Sequence, residues 1–189
     1  MDRAFLQSSF EAAQPYEQYV RSGTPQQHEN WEKIYQQVAL TDAQQALIGS
    51  WTRRMNIIGL SGRWCGDCVQ QGPLIQRVAE ANPEVIDLRW LERDEHPDLQ
   101  GLVRINAGDR VPVLVFCAED FEFVDWYGDR TLSRYRAMAQ RMLGPSCPLP
   151  GAPVATEELD ATLADWLECF ERAQLLLRLS SRLRQVHGD

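Results

Sequence analysis

The sequence predicts an α/β fold with a layered core and additional helices at both ends. Between residues 55 and 143, apolar runs typical of buried strands alternate with segments of helical spacing. Their order is strand, helix, strand, helix, strand, strand, helix, which implies a parallel pair of strands followed by a terminal hairpin. The residues before and after this region have helical spacing instead.

The first fifty residues predict three helices. Apolar side chains recur at mostly helical spacing over residues 4–20, and the pattern is broken at residues 22–25. Pro25 is suited to the first turn of a second helix, over residues 25–40. Thr41, with Gln44 three residues later, forms a capping box that predicts a third helix over residues 42–53.

The middle of the chain supplies the alternating elements. The predicted strands cover residues 55–60, 85–91, 111–117 and 121–127, and the predicted helices cover residues 67–81, 97–105 and 132–142. Pro83 follows the first of these helices and Gly128 follows the last strand, as expected of residues that interrupt regular structure.

The last part of the chain predicts a connector and one long helix. Residues 144–153 are rich in proline and glycine, which favours a rigid connector. A helix over residues 156–186 would be about 45 Å long, longer than a small core needs. An overhang, a break near Ser180, or a partner helix in a homodimer would each explain this length. The expected divisions are residues 1–54, 55–143 and 144–189, within one compact unit.

Composition and charge exclude several classes of protein. The net charge of −8 disfavours binding to nucleic acid. The longest apolar stretch, residues 111–118, is far below the roughly 18 residues that indicate a membrane span. The first residues lack the pattern of a secretory signal, so we expect a cytoplasmic protein without a membrane or nucleic-acid partner. Five cysteines, an odd number, disfavour a disulfide scaffold, and Cys117, Cys147 and Cys169 are expected to be isolated, buried or partly buried thiols.

The candidate chemistry lies in Trp64-Cys65-Gly66-Asp67-Cys68, which follows a predicted strand and opens a predicted helix. Two intervening residues on a first helical turn allow two sulfur atoms to approach bonding distance. The helix N-terminus stabilises a thiolate, which is the attacking species in disulfide exchange. The positions therefore predict that Cys65 is the nucleophile and that Cys68, one turn deeper, is the resolving thiol.

Other readings of this motif stay open. Zinc and iron–sulfur sites use the same cysteine spacing but need further ligands, and His28, His96 and His187 stand alone in the sequence. No metal or other cofactor is therefore expected. A further alternative is a non-catalytic interaction scaffold, in which the flanking helices bind a partner.

Several features together resemble the thioredoxin superfamily. Residues 64–68 are similar to the family's Trp-Cys-Gly-Pro-Cys site, with Asp in place of Pro, and Pro73 matches a proline within the following helix. Val111-Pro112 is similar to the family's cis-proline segment, and Gly128 matches the glycine that ends its hairpin. The resemblance covers residues 55–143. It implies a thioredoxin-like three-layer core with a mixed central sheet, to which extra N-terminal helices and a long C-terminal helix are added.

The resemblance also implies a function. Pro112 is expected beside Cys65, and Val111 should offer backbone hydrogen bonds to a substrate strand. The implied activity is a thiol–disulfide oxidoreductase that acts on disulfide-containing proteins and receives electrons from a reductase. We expect a reducing potential, near the roughly −270 mV of thioredoxin.

The departures from the family concern the residues around the thiols. Gly59 stands where the family has a buried aspartate that assists proton transfer, and Trp90 stands where it has a lysine. The general base is therefore unassigned, and water or a nearby carboxylate must serve.

The remaining candidate residues would tune the site or contact substrate. Asp67 should raise the pKa of Cys65, or it is simply a favourable residue of the first helical turn. Arg63 is expected either to counter the charge of Asp67 or to be solvated. Trp64 and Gly66, beside the nucleophile, are candidates to contact substrate or to tune the thiols. The acidic stretch 92–98 is expected to be a solvated loop in which His96 is a turn residue.

Overall fold

A computed structural model of the protein describes residues 1–143 and 156–189. The strands are β1 (Met55–Ser61), β2 (Ile86–Glu92), β3 (Val113–Cys117) and β4 (Phe123–Gly128). The helices are α1 (Arg3–Ala12), α2 (Tyr16–Arg21), α3 (Pro25–Gln37), α4 (Asp42–Gly49), α5 (Gly66–Glu80), α6 (Pro97–Leu102), α7 (Leu132–Leu143), α8 (Thr156–Arg178) and α9 (Ser181–His187). The predicted connector at 144–153 and Cys147 lie outside the described residues.

The four strands form one mixed sheet in the order β2-β1-β3-β4. β1 is parallel to β2 and antiparallel to β3, and β3 is antiparallel to β4. This confirms the predicted parallel pair and terminal hairpin. Every residue of β1 and β3 is buried, because both faces of the sheet are covered, and this explains their nearly continuous apolar sequences.

Helices cover both faces of the sheet, which gives the three layers. On one face, Trp90 of β2 donates a hydrogen bond from Nε1 to Gln76 of α5 at 3.1 Å. Phe116 of β3 packs against Phe170 of α8, with ring centroids 5.3 Å apart. Arg89 points to the opposite face, since side chains alternate along a strand, and its guanidinium lies 4.4 Å from the ring centroid of Phe10 in α1.

The single helix predicted over residues 4–20 is wrong, because the structure has two helices there. α1 ends at Ala12 and α2 begins at Tyr16, and between them the backbone of Gln14 pairs with that of Trp90 through hydrogen bonds of 2.9 and 2.7 Å. This pairing covers the outer edge of β2, whose backbone groups would otherwise lack partners. Pro15 also favours the interruption, since it has no N–H to donate.

Aromatic side chains join the N-terminal helices to the sheet. The ring of Tyr19 stacks on Trp90 with centroids 6.0 Å apart, and Trp31 meets the same ring edge-on at 6.0 Å. Gly72 of α5 lies directly against the Trp31 ring, where a Cβ would overlap it. The N-terminal helices and the sheet therefore share one buried cluster.

The predicted helix starts are closer to the structure than the predicted ends. The capping box of Thr41 and Gln44 is present at the start of α4, but α4 ends at Gly49 rather than near residue 53. α3 and α6 likewise end three residues earlier than predicted. β3 begins at Val113 rather than at 111, since Pro112 cannot donate to a strand ladder.

The long C-terminal helix is broken near Ser180, which is one of the three explanations offered for its length. α8 ends at Arg178, and the hydroxyl of Ser180 accepts a hydrogen bond from the backbone N–H of Leu183 at 3.4 Å as α9 begins. Leu175 and Leu176 of α8, and Leu179 directly after this helix, are exposed. A homodimer through this helix stays a prediction. In the described residues, no helix is both long and apolar enough to cross a membrane.

Candidate active site

Cys65 lies at the N-cap of α5, immediately after the loop that follows β1. Its backbone is extended, and its N–H donates to the carbonyl of Gly62 at 2.9 Å. The side chain of Cys65 is partly exposed, whereas that of Cys68, one turn further along α5, is fully buried. Both are free thiols in this structure. The two positions fit an accessible nucleophile with a resolving thiol beneath it.

The two thiols have different pKa values because their surroundings differ. The pKa of Cys65 is lowered to about 7, chiefly by a hydrogen bond from the Cys68 thiol and further by the backbone N–H groups of Cys68 and Asp67. Burial and the charge of Asp67 oppose this shift. The pKa of Cys68 is raised well above its ordinary value by burial and by its hydrogen bond with the Cys65 thiol. Cys65 therefore ionises first, as a helix N-terminus favours.

The segment containing Val111 and Pro112 lies beside Cys65. The peptide bond between these two residues is cis, as the resemblance implied. The carbonyl oxygen of Val111 lies 3.9 Å from the sulfur of Cys65. Gly128, at the end of β4, packs so closely on Pro112 that a Cβ there would overlap the Pro112 carbonyl. Gly128 thus allows the hairpin to hold this segment against Cys65.

Asp67 is held by two arginines that follow β4. Arg130 donates to its carboxylate through both Nε, at 3.0 Å, and Nη2, and Arg134 donates at 3.3 Å. The expectation that Arg63 either counters Asp67 or is solvated is wrong. Arg63 instead lies 3.4 Å from the buried carboxylate of Glu92, to which its guanidinium is drawn by charge.

Trp64 and Gly66 flank the nucleophile on the exposed side. The Trp64 ring is 51% exposed, and its Nε1 donates to Glu92 at 3.2 Å. The guanidinium of Arg93 lies 4.7 Å from the ring centroid and fixes its outer face. A Cβ built at Gly66 would meet nothing within 4 Å, so the space beside Cys65 is open.

The comparison with known families agrees with this geometry. Residues 13–142 match the family model described as Thioredoxin. This chain belongs to the thioredoxin family. The match begins well before residue 55, so it includes part of the N-terminal helices as well as the sheet.

Two solved structures have a fold similar to that of this thioredoxin-family chain. A protein of unknown function from Pseudomonas aeruginosa, PA1234, is 16% identical with a TM-score of 0.70, and the alignment covers 87% of this chain and 96% of that one. An HIV epitope scaffold is 15% identical with a TM-score of 0.63, covering 86% and 97%. At these identities the likeness concerns the fold alone. No curated protein matches the sequence.

Glu92 is a site residue that sequence reasoning missed in this thioredoxin-family protein. The expectation that it belongs to a solvated loop is wrong, because it is a buried residue at the end of β2. Its carboxylate accepts hydrogen bonds from the Tyr19 hydroxyl, the Arg63 backbone N–H and the Trp64 indole, each at 3.2 Å. The signal was available in the alternation along β2, which places Glu92 on the same face as Trp90.

The space that the family's buried aspartate would occupy is filled by another side chain in this protein. Gly59 and Trp90 are partners across β1 and β2, and a Cβ at Gly59 would lie 2.8 Å from the Trp90 ring. The indole thus fills the space that a side chain at position 59 would need. An aspartate does not fit beside this tryptophan.

Among the residues that the structure describes, Cys117 and Cys169 are the cysteines outside the pair at 65 and 68, and neither joins the site. Cys117 is buried and Cys169 partly buried, and burial raises the pKa of each thiol to about 12. Both agree with the expectation of isolated, inert thiols. In the parts of the chain that the structure describes, no three His, Cys, Asp or Glu side chains cluster closely enough to hold a metal ion.

Proposed function

We propose that this protein is a thiol–disulfide oxidoreductase that reduces or exchanges disulfides in protein substrates through Cys65 and Cys68. The observation that carries the proposal is the placement of the two thiols, with Cys65 partly exposed at the N-cap of α5 and Cys68 fully buried one turn deeper. The pKa of Cys65 is accordingly lowered to about 7, and that of Cys68 is raised well above its ordinary value. An exchange enzyme needs this order, since the first thiol must be ionised at neutral pH and the second must wait for the mixed disulfide.

The reaction proceeds in two transfers. The Cys65 thiolate attacks one sulfur of the substrate disulfide, forms a mixed disulfide with it, and releases the other substrate sulfur as a thiolate that takes up a proton. Cys68 then loses its proton and attacks the Cys65 sulfur. The Cys65–Cys68 disulfide forms and the second substrate sulfur leaves, so the substrate gains two electrons and the protein loses two.

The open side of the site suits an extended substrate chain. The Val111 carbonyl accepts a hydrogen bond from the Cys65 thiol at 3.9 Å, and ionisation of this thiol frees the carbonyl to accept a backbone N–H of the substrate. Pairing of this kind tolerates many side chains. Trp64 and the space above Gly66 border the same opening. The cycle ends with both thiols oxidised, so the proposal includes a partner reductase or another thiol donor, as the cytoplasm provides.

Insulin disulfide reduction with dithiothreitol as electron donor tests the proposal. The wild-type chain should accelerate the reaction, and Cys65→Ser should abolish the acceleration because the attacking sulfur is lost. Cys68→Ser should trap the substrate as a mixed disulfide, visible as a larger species that a reductant releases. Equal rates for wild type and Cys65→Ser would contradict the proposal.

The exposed leucines at the end of α8 and directly after it favour a second candidate, a scaffold that binds a partner without turnover. Leu175, Leu176 and Leu179 form an apolar row that the described residues leave uncovered, and such rows often mark interaction surfaces. The double variant Cys65→Ser/Cys68→Ser separates the two functions. A scaffold keeps its binding in this variant, whereas an oxidoreductase loses its activity.

A further inference from the structure

We propose that Ser61, Tyr19 and Glu92 form a proton relay that takes the proton from Cys68 when this thiol attacks the mixed disulfide. The relay would replace the buried aspartate for which the chain has no room at position 59. It rests on the proposed function, because it serves the second transfer of the exchange reaction.

The resolving step requires a proton acceptor inside the protein. Cys68 is fully buried and holds its proton at neutral pH, so it cannot release that proton directly to water. Gly59 offers no side chain, and the Trp90 indole closes the space beside it. Any acceptor must therefore reach Cys68 from another position on this face of the sheet.

The register of β1 and β2 places two polar side chains two residues beyond Gly59 and Trp90. Gly59 pairs with Trp90 across β1 and β2, and Ser61 pairs with Glu92 in the same register. Since side chains two residues apart share a face, Ser61 and Glu92 project towards the same helices as Trp90. A polar pair thus occurs on the correct face, one strand repeat closer to the cysteines.

Tyr19 of α2 connects this pair. Its hydroxyl donates to Oε2 of Glu92 at 3.2 Å, and its ring is held flat against Trp90. Ser61 is fully buried, and its hydroxyl makes no hydrogen bond within ordinary geometric limits. Its strand partner is Glu92, and the backbone N–H of the adjacent Gly62 donates to the Cys68 sulfur at 3.4 Å, so Ser61 lies where the thiol meets the Tyr19–Glu92 pair. Burial raises the pKa of both Cys68 and Tyr19, and the Ser61 hydroxyl partly offsets this rise in each. A rotation of this hydroxyl completes the chain from sulfur to carboxylate.

One proton leaves Cys68 and one proton reaches Glu92, through three successive proton transfers. The Cys68 thiol gives its proton to the Ser61 oxygen, Ser61 gives its own to the Tyr19 oxygen, and Tyr19 gives its own to Glu92. Cys68 becomes a thiolate, Glu92 becomes a carboxylic acid, and the two hydroxyl groups are regenerated. The backbone N–H of Gly62, 3.4 Å from the Cys68 sulfur, is placed to stabilise the new charge.

The groups around the Glu92 carboxylate are hydrogen-bond donors and one cation. The Arg63 guanidinium lies 3.4 Å away, and the Arg63 N–H and the Trp64 indole also donate to the carboxylate. These groups come from the loop before α5, while Tyr19 approaches from the N-terminal helices. The relay thus draws on both parts of the chain.

Stopped-flow reaction with 5,5′-dithiobis(2-nitrobenzoate) measures the two transfers separately. Attack by Cys65 releases one coloured thiolate, and attack by Cys68 on the resulting mixed disulfide releases a second. Tyr19→Phe keeps the ring and removes only the hydroxyl, so it is the cleanest variant. Tyr35→Phe is its matched control, because the Tyr35 hydroxyl donates to Glu80 at 2.7 Å, on the far end of α5 from the thiols.

We expect Tyr19→Phe, Ser61→Ala and Glu92→Gln to slow the second release at neutral pH by about a hundredfold, the lower end of the range for a lost acid–base group. The first release should change little, and the second should recover as pH rises, because hydroxide can then take the Cys68 proton. This pH-dependent recovery is not expected of a purely structural defect. Tyr35→Phe should match wild type in both releases.

The relay is wrong if Tyr19→Phe and Glu92→Gln show the wild-type second release across the pH range while wild type turns over normally. If wild type gives no second release at all, the proposed function fails together with the relay. The two failures are therefore distinguishable in one set of traces.

Discussion

Arg130 binds the carboxylate of Asp67 with two donor groups, although the two residues lie 63 positions apart in the sequence. Asp67 stands between the two cysteines, so its charge acts directly on the attacking thiol. Gln71 of α5 steadies the arginine's segment, since its side-chain amide donates to the carbonyl of Asp129 at 3.0 Å. The acidity of Cys65 therefore depends on the segment after β4 as well as on α5.

Opposite changes to this ion pair should shift the pKa of Cys65 in opposite directions. Asp67→Asn removes a charge that raises the pKa, so the pKa should fall below about 7. Arg130→Gln leaves the Asp67 charge less compensated, so the pKa should rise. We expect each shift to be about one unit or less, because Arg134 still contacts position 67 in either variant. The pH dependence of iodoacetamide alkylation measures both, and shifts of the same sign would contradict the pairing.

The hydrogen bond between the thiols can be removed without touching the nucleophile. Cys68→Ala takes away the largest contribution to the low pKa of Cys65, so that pKa should rise from about 7 towards the ordinary thiol value of roughly 8.5. Cys68→Ser retains a hydroxyl donor and should stay closer to wild type. The alkylation rate below pH 8 should therefore fall more in the alanine variant. A serine variant that shifts as far as alanine would show that the donor is unimportant.

The redox potential should be reducing. A Cys65 pKa of about 7 resembles that of thioredoxin, whereas strongly oxidising members of the superfamily have a pKa near 3.5. Thiolate stabilisation is thus modest, and we expect a potential near roughly −270 mV. Equilibration with a dithiothreitol or glutathione series measures it. A value above about −200 mV would overturn this expectation.

Contact between Gly72 and Trp31 should make α5 sensitive to a single methyl group. Gly72→Ala places a Cβ against the Trp31 ring, and we expect a loss of about 1–3 kcal/mol in the free energy of unfolding, typical of an overpacked core. Gly101→Ala is the matched control, because a Cβ there meets nothing within 4 Å and alanine favours the helix. Urea denaturation compares the two. Equal stability of both variants would mean that Trp31 moves aside without cost.

Local sequence signals predicted the elements and the thiol pair. The Thr41 capping box and the cysteine spacing act within a few residues, and both are present as expected. The Arg130 contact with Asp67 has no local signal, since it depends on how the hairpin meets α5. Gln14 left the helical pattern because an exposed strand edge offered it hydrogen bonds, and this contact has no local signal beyond Pro15. The burial of Glu92 was not predicted, because its acidic neighbours in the sequence are solvated and Glu92 was grouped with them.

The hydrogen bond from Tyr19 to Glu92 and the packing of Trp31 on Trp90 affect which truncated forms of this protein can be stable. A fragment beginning at residue 55 would keep both cysteines and all four strands. It would also expose the Trp90 indole to water, and Arg63 would lose its contact with Ser22 at 2.9 Å. We therefore expect such a fragment to be less stable than the whole chain, because the helices that precede the sheet supply the aromatic rings that pack on Trp90.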